Sequence, residues 1–273
     1  AAALHAIMPH VSPEVCQKSC LGMRVVGTPV GSSEFITSYV RERADAAVHL
    51  ANEAIAMPSF QERLQLGRIA VPSPLLWLAG QVPLKDLGPE AGIELVDDAT
   101  RRCLQSVLPG SRLTDSAFAQ ACLPEGFAGL KLIRLADHAD ARFVSMHLKC
   151  MAVVPSLAPH LAHMFADPRT LDSPTARAVV AAHQRLVDEA PVLAQILDFD
   201  NPDPRPGLVR AVQRELEADR ARKVYNALPD ANRKSFFHAA AGDKGSFTAL
   251  PTCPSNTWSN QQYHSSISRS LGL

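Results

Sequence analysis

A mainly α fold is predicted: a helical bundle with a short N-terminal β-hairpin and a second helical region. Three observations carry it. Alanine and leucine dominate while aromatic residues make up only 5%, and strands draw on β-branched and aromatic side chains that are scarce here. Apolar residues recur at three- and four-residue intervals along most of the chain. Ser, Thr and Pro–Gly breaks stand where helix ends belong. At 273 residues, 47% apolar and 20% charged, the chain can bury a sizeable core, and disorder throughout is excluded.

Residues 1–20 carry little periodic signal. Gly22-Met23-Arg24-Val25-Val26-Gly27-Thr28-Pro29-Val30-Gly31 reads as a short apolar strand running into a β-turn at Pro29 and a glycine. From Ser33, with Ser32 or Ser33 as cap, Ile36, Val40, Ala44, Ala47, Ala51 and Ile55 share one helical face, and Arg41, Asp45 and His49 the other. Pro58 ends this helix. Ser59 and Glu62 form a capping box for the next, which runs to about Val71, where Pro72-Ser73-Pro74 forces a turn. A helix after Pro89 turns Ile93, Val96, Cys103, Leu104 and Val107 inward, and Pro109-Gly110 closes it. Thr114 caps a short helix to Cys122, and Leu123-Pro124 through Gly129 is a second break. Residues 133–166 are helical with interruptions near Pro155 and Pro159. A helix at 175–198 is kinked by Pro191, and a charged helix spans about 207–228. Ser259-Asn260-Gln261-Gln262 is a capping box for a final helix to Ser270.

Lys+Arg and Asp+Glu each total 27, so the chain lacks the cationic excess of a strong non-specific nucleic-acid binder. The window 205–234 is locally basic, with eight cations (Arg205, Arg210, Arg214, Arg220, Arg222, Lys223, Arg233, Lys234) against Glu215, Glu217, Asp219 and Asp230; the pattern is that of a solvated mixed-charge helix. Six scattered cysteines lack a disulfide-framework spacing and indicate a reducing compartment. The longest apolar run, Ile69 to Leu84, is broken by Pro72, Pro74 and Pro83, and membrane association is not expected. The beginning Ala-Ala-Ala-Leu-His is no secretory signal and reads as a cut from something longer.

Candidate chemistry fails residue by residue. Asp97-Asp98 has the look of a polymerase metal pair. It lies within a helical pattern, though, with Arg101 and Arg102 at i,i+4, so ion pairing on a helix face is expected. Gly27 to Ser33 lacks the Gly-Lys-Ser/Thr of a phosphate loop. His5, His10, Cys16 and Cys20 fit no zinc module, and His160/His163 lack a third ligand. The Asp198-to-Asp203 stretch has Asp203 where an EF-hand needs glycine and Val209 where it needs glutamate. No nucleophile elbow occurs.

The Gly22–Gly31 stretch, followed by a helical segment and then Leu123-Pro124-Glu125-Gly126-Phe127-Ala128-Gly129-Leu130-Lys131-Leu132, resembles the region downstream of the catalytic centre in non-LTR retrotransposon (LINE-type) reverse transcriptases. The second motif there is Leu-Pro-x-x-x-Gly-Gly-Leu-Gly-Leu; Ala128 and Lys131 replace its first and last glycines. Phe247-Thr248-Ala249-Leu250-Pro251, Trp258-Ser259 and Arg269-Ser270-Leu271-Gly272-Leu273 resemble a later family segment. The resemblance implies three regions: a palm remnant with a primer-grip hairpin (1–31), a thumb-like helical domain (32–135) and a C-terminal helical region (136–273). It implies that Gly22, Val25, Val26, Gly27, Thr28, Pro29 and Gly31 form the primer grip, that the partner is an RNA–DNA or DNA duplex, and that localisation is nuclear. The palm aspartates are missing, so the chain alone is expected to be inert. Neither a cofactor nor a small-molecule substrate is expected in this fragment; Mg²⁺ belongs to the missing palm. The alternative is an all-helical interaction or scaffold domain without catalysis. Arg41, Arg63, Arg68, Arg101 and Arg102 gathered on one face would favour the thumb, and dispersed, the scaffold.

Overall fold

Ten α-helices and one two-stranded antiparallel hairpin make up the regular structure of the computed structural model, which describes residues 22–204, 207–228, 259–271 and 273. The strands are β1 (Gly22–Val25) and β2 (Thr28–Gly31). The helices are α1 (Ser33–Ala56), α2 (Phe60–Ile69), α3 (Ser73–Leu78), α4 (Ile93–Ser106), α5 (Asp115–Cys122), α6 (Leu135–Leu157), α7 (Pro174–Glu189), α8 (Leu193–Ile196), α9 (Leu208–Ala227) and α10 (Asn260–Leu271). The mainly α architecture with an N-terminal hairpin is the one the composition implied. The zinc candidates His5, His10, Cys16 and Cys20, the cations Arg205, Arg233 and Lys234, and the 247–251 and Trp258 motifs lie outside the described residues.

Capping explains most helix starts. Ser32 Oγ accepts from Phe35 N, Ser59 Oγ from Glu62 N, Thr114 Oγ1 from Ala117 N and Ser173 Oγ from Ala176 N, each satisfying a first-turn donor that has no partner inside the helix. At α10 the capping box is reciprocal: Gln262 N donates to Ser259 Oγ and Ser259 N to Gln262 Oε1. The turn expected at Pro72-Ser73-Pro74 is present at residues 70–72, and α3 starts directly after it with a proline in its first turn, where a missing N–H costs nothing. One proline reading needs correction. Pro191 separates α7 from α8 instead of kinking one helix.

The first core is built on α1. Val40, Ala44, Ala47 and Ala51 are fully buried, and their small side chains let α4 approach closely enough for Ala51 O to accept from Cys103 Sγ at 3.8 Å. Leu75 and Leu78 of α3, and Leu135 and Ala139 at the start of α6, complete this core. A second core joins the rest of α6 to α7, α8 and α9 through Val144, Leu148, Val179, Leu186, Leu193 and Val212. In a third, Tyr263, Ile267 and Leu271 of α10 pack with Leu64, Leu104, Phe118, Leu130 and Leu132. The final helix thus lies on the N-terminal half of the chain, and Asn260 bonds Phe60 N and Pro58 O.

Helix α6 is shared between the first two cores, and two carboxylates fix it. Asp97 does not pair with Arg101. It accepts from the N–H groups of Leu135 and, at 3.2 Å, Ala136, so a side chain on α4 caps α6 from across the core. Asp98 does pair with Arg102, at 3.3 Å. Further along α6, Asp140 is 5% exposed. It takes a two-pronged bond from Arg185 (3.0 and 2.8 Å) and Lys85 at 2.9 Å, so its buried charge is fully compensated.

Asp97→Ala leaves two α6 donors without an acceptor, and denaturant unfolding should show a loss of about 1–3 kcal/mol. Burial, opposed by the two backbone N–H bonds, pushes the Asp97 carboxyl from 3.8 up to about 6. Between those values the folded chain holds a proton that the unfolded chain has released. Its contribution to stability is therefore full below pH ~4 and declines as pH rises through ~6, and Asp97→Asn should remove that slope.

Candidate functional site

The hairpin contains every residue that the resemblance assigned to the primer grip. Gly22 pairs with Gly31, Met23 with Val30, Arg24 with Pro29 and Val25 with Thr28. The turn is not at Pro29. It is the two-residue Val26-Gly27 connection, both residues having positive φ (49° and 82°), as the tightest hairpin turns require. Pro29 sits inside β2 and is buried. The sequence pointed elsewhere because proline is the stronger turn marker in isolation, whereas a glycine one residue past the apex settles the geometry.

Strands of four residues do not hold themselves in water, and three side chains anchor this pair. Tyr39 of α1 donates from its hydroxyl to Gly27 O at 3.1 Å. Trp77 of α3 lies against Gly27, its ring carbons 3.4 and 3.5 Å from where a Cβ would be. Thr28 Oγ1 donates to Gln81 Oε1. The far end of the hairpin is left open to solvent: Val26 is 91% exposed, and Val25 and Val30 are also exposed. A β-branched residue at positive φ is strained, and this one additionally holds an isopropyl group in water.

Cations flank this apex. The Arg43 and Arg24 guanidinium groups lie 5.1 and 5.8 Å from the centre of the Tyr39 ring. On the Trp77 side, a groove of about 550 Å³ is lined by Arg68, Ile69, Trp77, Lys131, Ile133 and Arg142 among others, with no carboxylate in its wall. Arg142 is half-buried; its Nε is shielded from solvent and has no hydrogen-bond partner. Burial alone pulls its pKa below the ordinary guanidinium value. Lys131 is exposed and held at a φ of 57°.

The five arginines named as the test of a thumb surface are each tied up within the protein. Arg41 bonds Asp45 at 2.8 Å and Arg63 bonds Met57 O and Ser106 O at 2.6 and 3.2 Å. Arg68 pairs with Glu125 at 3.6 Å. Arg101 bonds Asp115 and Leu113 O, and Arg102 bonds Asn52. They do not gather. Sequence reading missed Tyr39, Trp77, Gln81, Arg24, Arg43 and Arg142. Only Trp77 carried a signal, as one of two tryptophans in the chain.

A second collection of titratable groups surrounds Cys122, Asp137, His138, Glu189, Glu217 and Arg220. Burial, with Arg220 and Arg142 nearby, lowers His138 to about 4, and burial raises the Cys122 thiol. A neutral imidazole beside a protonated thiol is the reverse of an activated nucleophile. Arg220 is held by Glu189 at 2.6 and 3.1 Å. Among the described residues, no three His, Cys, Asp or Glu side chains converge as metal ligands, and no helix is long and apolar enough to cross a membrane.

Val26→Asn should stabilise the hairpin by about 1 kcal/mol, because asparagine tolerates the left-handed region better than valine. Slower amide exchange across 22–31 is the readout.

No protein-family model, no curated protein and no solved structure matches this chain, so function is argued from its own geometry.

Proposed function

We propose that this chain is a non-catalytic, nucleic-acid-handling part of an RNA-directed DNA polymerase, its hairpin serving as a primer grip and its first helical bundle as a thumb. The observation carrying this reading is the hairpin apex: apolar, strained and open to solvent, anchored from behind by two aromatic side chains and flanked by arginines. Strain held at an exposed turn is a mark of a working surface. Backbone and valine methyl groups would meet the sugar edge of a strand end, and Arg24 and Arg43 its phosphates.

The second motif supports the same reading from an independent direction. Ala128 and Lys131, the residues replacing glycines of the reverse-transcriptase pattern, both adopt left-handed backbone (φ 59° and 57°), where glycine is the favoured residue. Gly129 between them lies so close to Leu123 that a Cβ would come within 1.8 Å of its carbonyl oxygen. The backbone thus has the shape that the glycine pattern suits, although two of the glycines are gone.

One observation favours the scaffold alternative: Arg41, Arg63, Arg68, Arg101 and Arg102 are spent on internal ties. The two readings separate in solution. Fluorescence anisotropy with a blunt RNA–DNA hybrid should show binding that weakens as salt rises. Arg24→Glu with Arg43→Glu should flatten the log K against log salt slope by about 2. Salt-independent or absent binding by the full chain, also when joined to a catalytic palm, would leave the scaffold reading standing.

A further inference from the structure

The groove beside the hairpin is more specific than a general anionic surface. Trp77 forms its wall on the hairpin side, and 47% of the residue remains open to solvent although its ring also supports Gly27. Ile69, at the end of α2, extends the apolar floor and is 54% exposed. Lys131 and Arg142 stand with them around one concavity. Arg142 lines this concavity, whose wall carries no carboxylate to neutralise it. Arg68 also lines the groove but is engaged by Glu125. The volume, about 550 Å³, falls in the ~300–1,000 Å³ range of clefts that enclose small flat ligands.

An occupant has to offer a planar apolar face and, a few ångströms away, a negative charge. A free phosphate or a lipid headgroup supplies the charge without the face. A duplex supplies phosphates along its length but keeps its internal bases stacked on one another, leaving a free face only at its terminal pair. An unpaired strand offers both, since every base has a π-face and every linkage a phosphate. We propose that this groove binds a single-stranded stretch of nucleic acid, with a base stacked on Trp77 and the adjoining phosphate on Lys131 and Arg142. The position fits: Trp77 touches the hairpin turn, so a strand unpaired at the edge of a duplex held by the hairpin enters the groove directly. The inference deepens the nucleic-acid reading above and rests on it.

The test uses the full chain with Trp258→Phe, which leaves Trp77 as its sole indole, titrated with a short oligothymidylate at low salt. Stacking should quench the Trp77 emission in step with binding. Trp77→Ala in the unaltered chain should weaken oligothymidylate binding by about tenfold or more, and Trp77→Phe should restore part of it. Lys131→Glu with Arg142→Gln should weaken it as well and flatten the salt slope by about 1.4, the single-strand value for two cations. Unchanged melting and blunt-hybrid affinity in the Lys131→Glu, Arg142→Gln chain separate a lost subsite from a lost fold, whereas Trp77→Ala also removes a hairpin anchor and is expected to lower hybrid affinity as well. Binding that leaves the emission unchanged, or equal affinity in the parent and Trp77→Ala chains, overturns the groove assignment while the hairpin reading survives on its hybrid binding. Failure of both oligothymidylate and hybrid to bind overturns both.

Discussion

Gly27 is met by two aromatic side chains, Tyr39 and Trp77, and the proposed binding surface depends on that anchor. A hairpin of two four-residue strands has too few internal hydrogen bonds and too little buried area to persist alone. Tyr39 comes from α1 and Trp77 from α3, and both meet the one turn residue without a side chain. A Cβ at that position would lie in ordinary contact with the Trp77 ring and would carry the penalty of positive φ. Because the turn is fixed at Gly27, Val26 is forced outward, Pro29 is drawn inward, and Arg24 falls over the Tyr39 ring. The exposed valines and the flanking cations follow from one anchored residue.

The anchors are only as rigid as the helices that carry them, and α6 sets that rigidity. Its first turn is capped by Asp97 from α4, its middle is clamped by Arg185 and Lys85 on Asp140, and its two ends belong to different cores. Helix α3, which presents Trp77, packs into the first of those cores through Leu75 and Leu78. The Asp97 bonds therefore couple the order of the second helical region to the position of the groove wall, since Arg142 is itself an α6 residue.

The helices were legible because their signals are local. The alanine stripe from Ala44 to Ala51, the caps at Ser59 and Thr114 and the box at Ser259 act within a few residues of where they are written. The hairpin was legible as an element but not in its turn, since Pro29 is a strong local marker overruled by Gly27. What could not be read was everything that depends on distant segments meeting. Asp97 lies thirty-eight residues from Leu135 in sequence, so i,i+4 logic paired it with Arg101. Tyr39, Gln81 and Arg142 have no motif, and each gains its role only when the fold brings it to the hairpin or the groove. Trp77 sat in an apolar run read only for its prolines, and the short helix α3 that carries it was not foreseen.

The central claim is that the anchored hairpin is the surface that meets nucleic acid. Hydrogen–deuterium exchange on the full chain, with and without an RNA–DNA hybrid, tests it residue by residue. The account predicts protection concentrated at 22–31 and little change along the outer faces of α7 and α9. Protection confined to the second helical region, with the hairpin amides exchanging as fast as in the free chain, would contradict it.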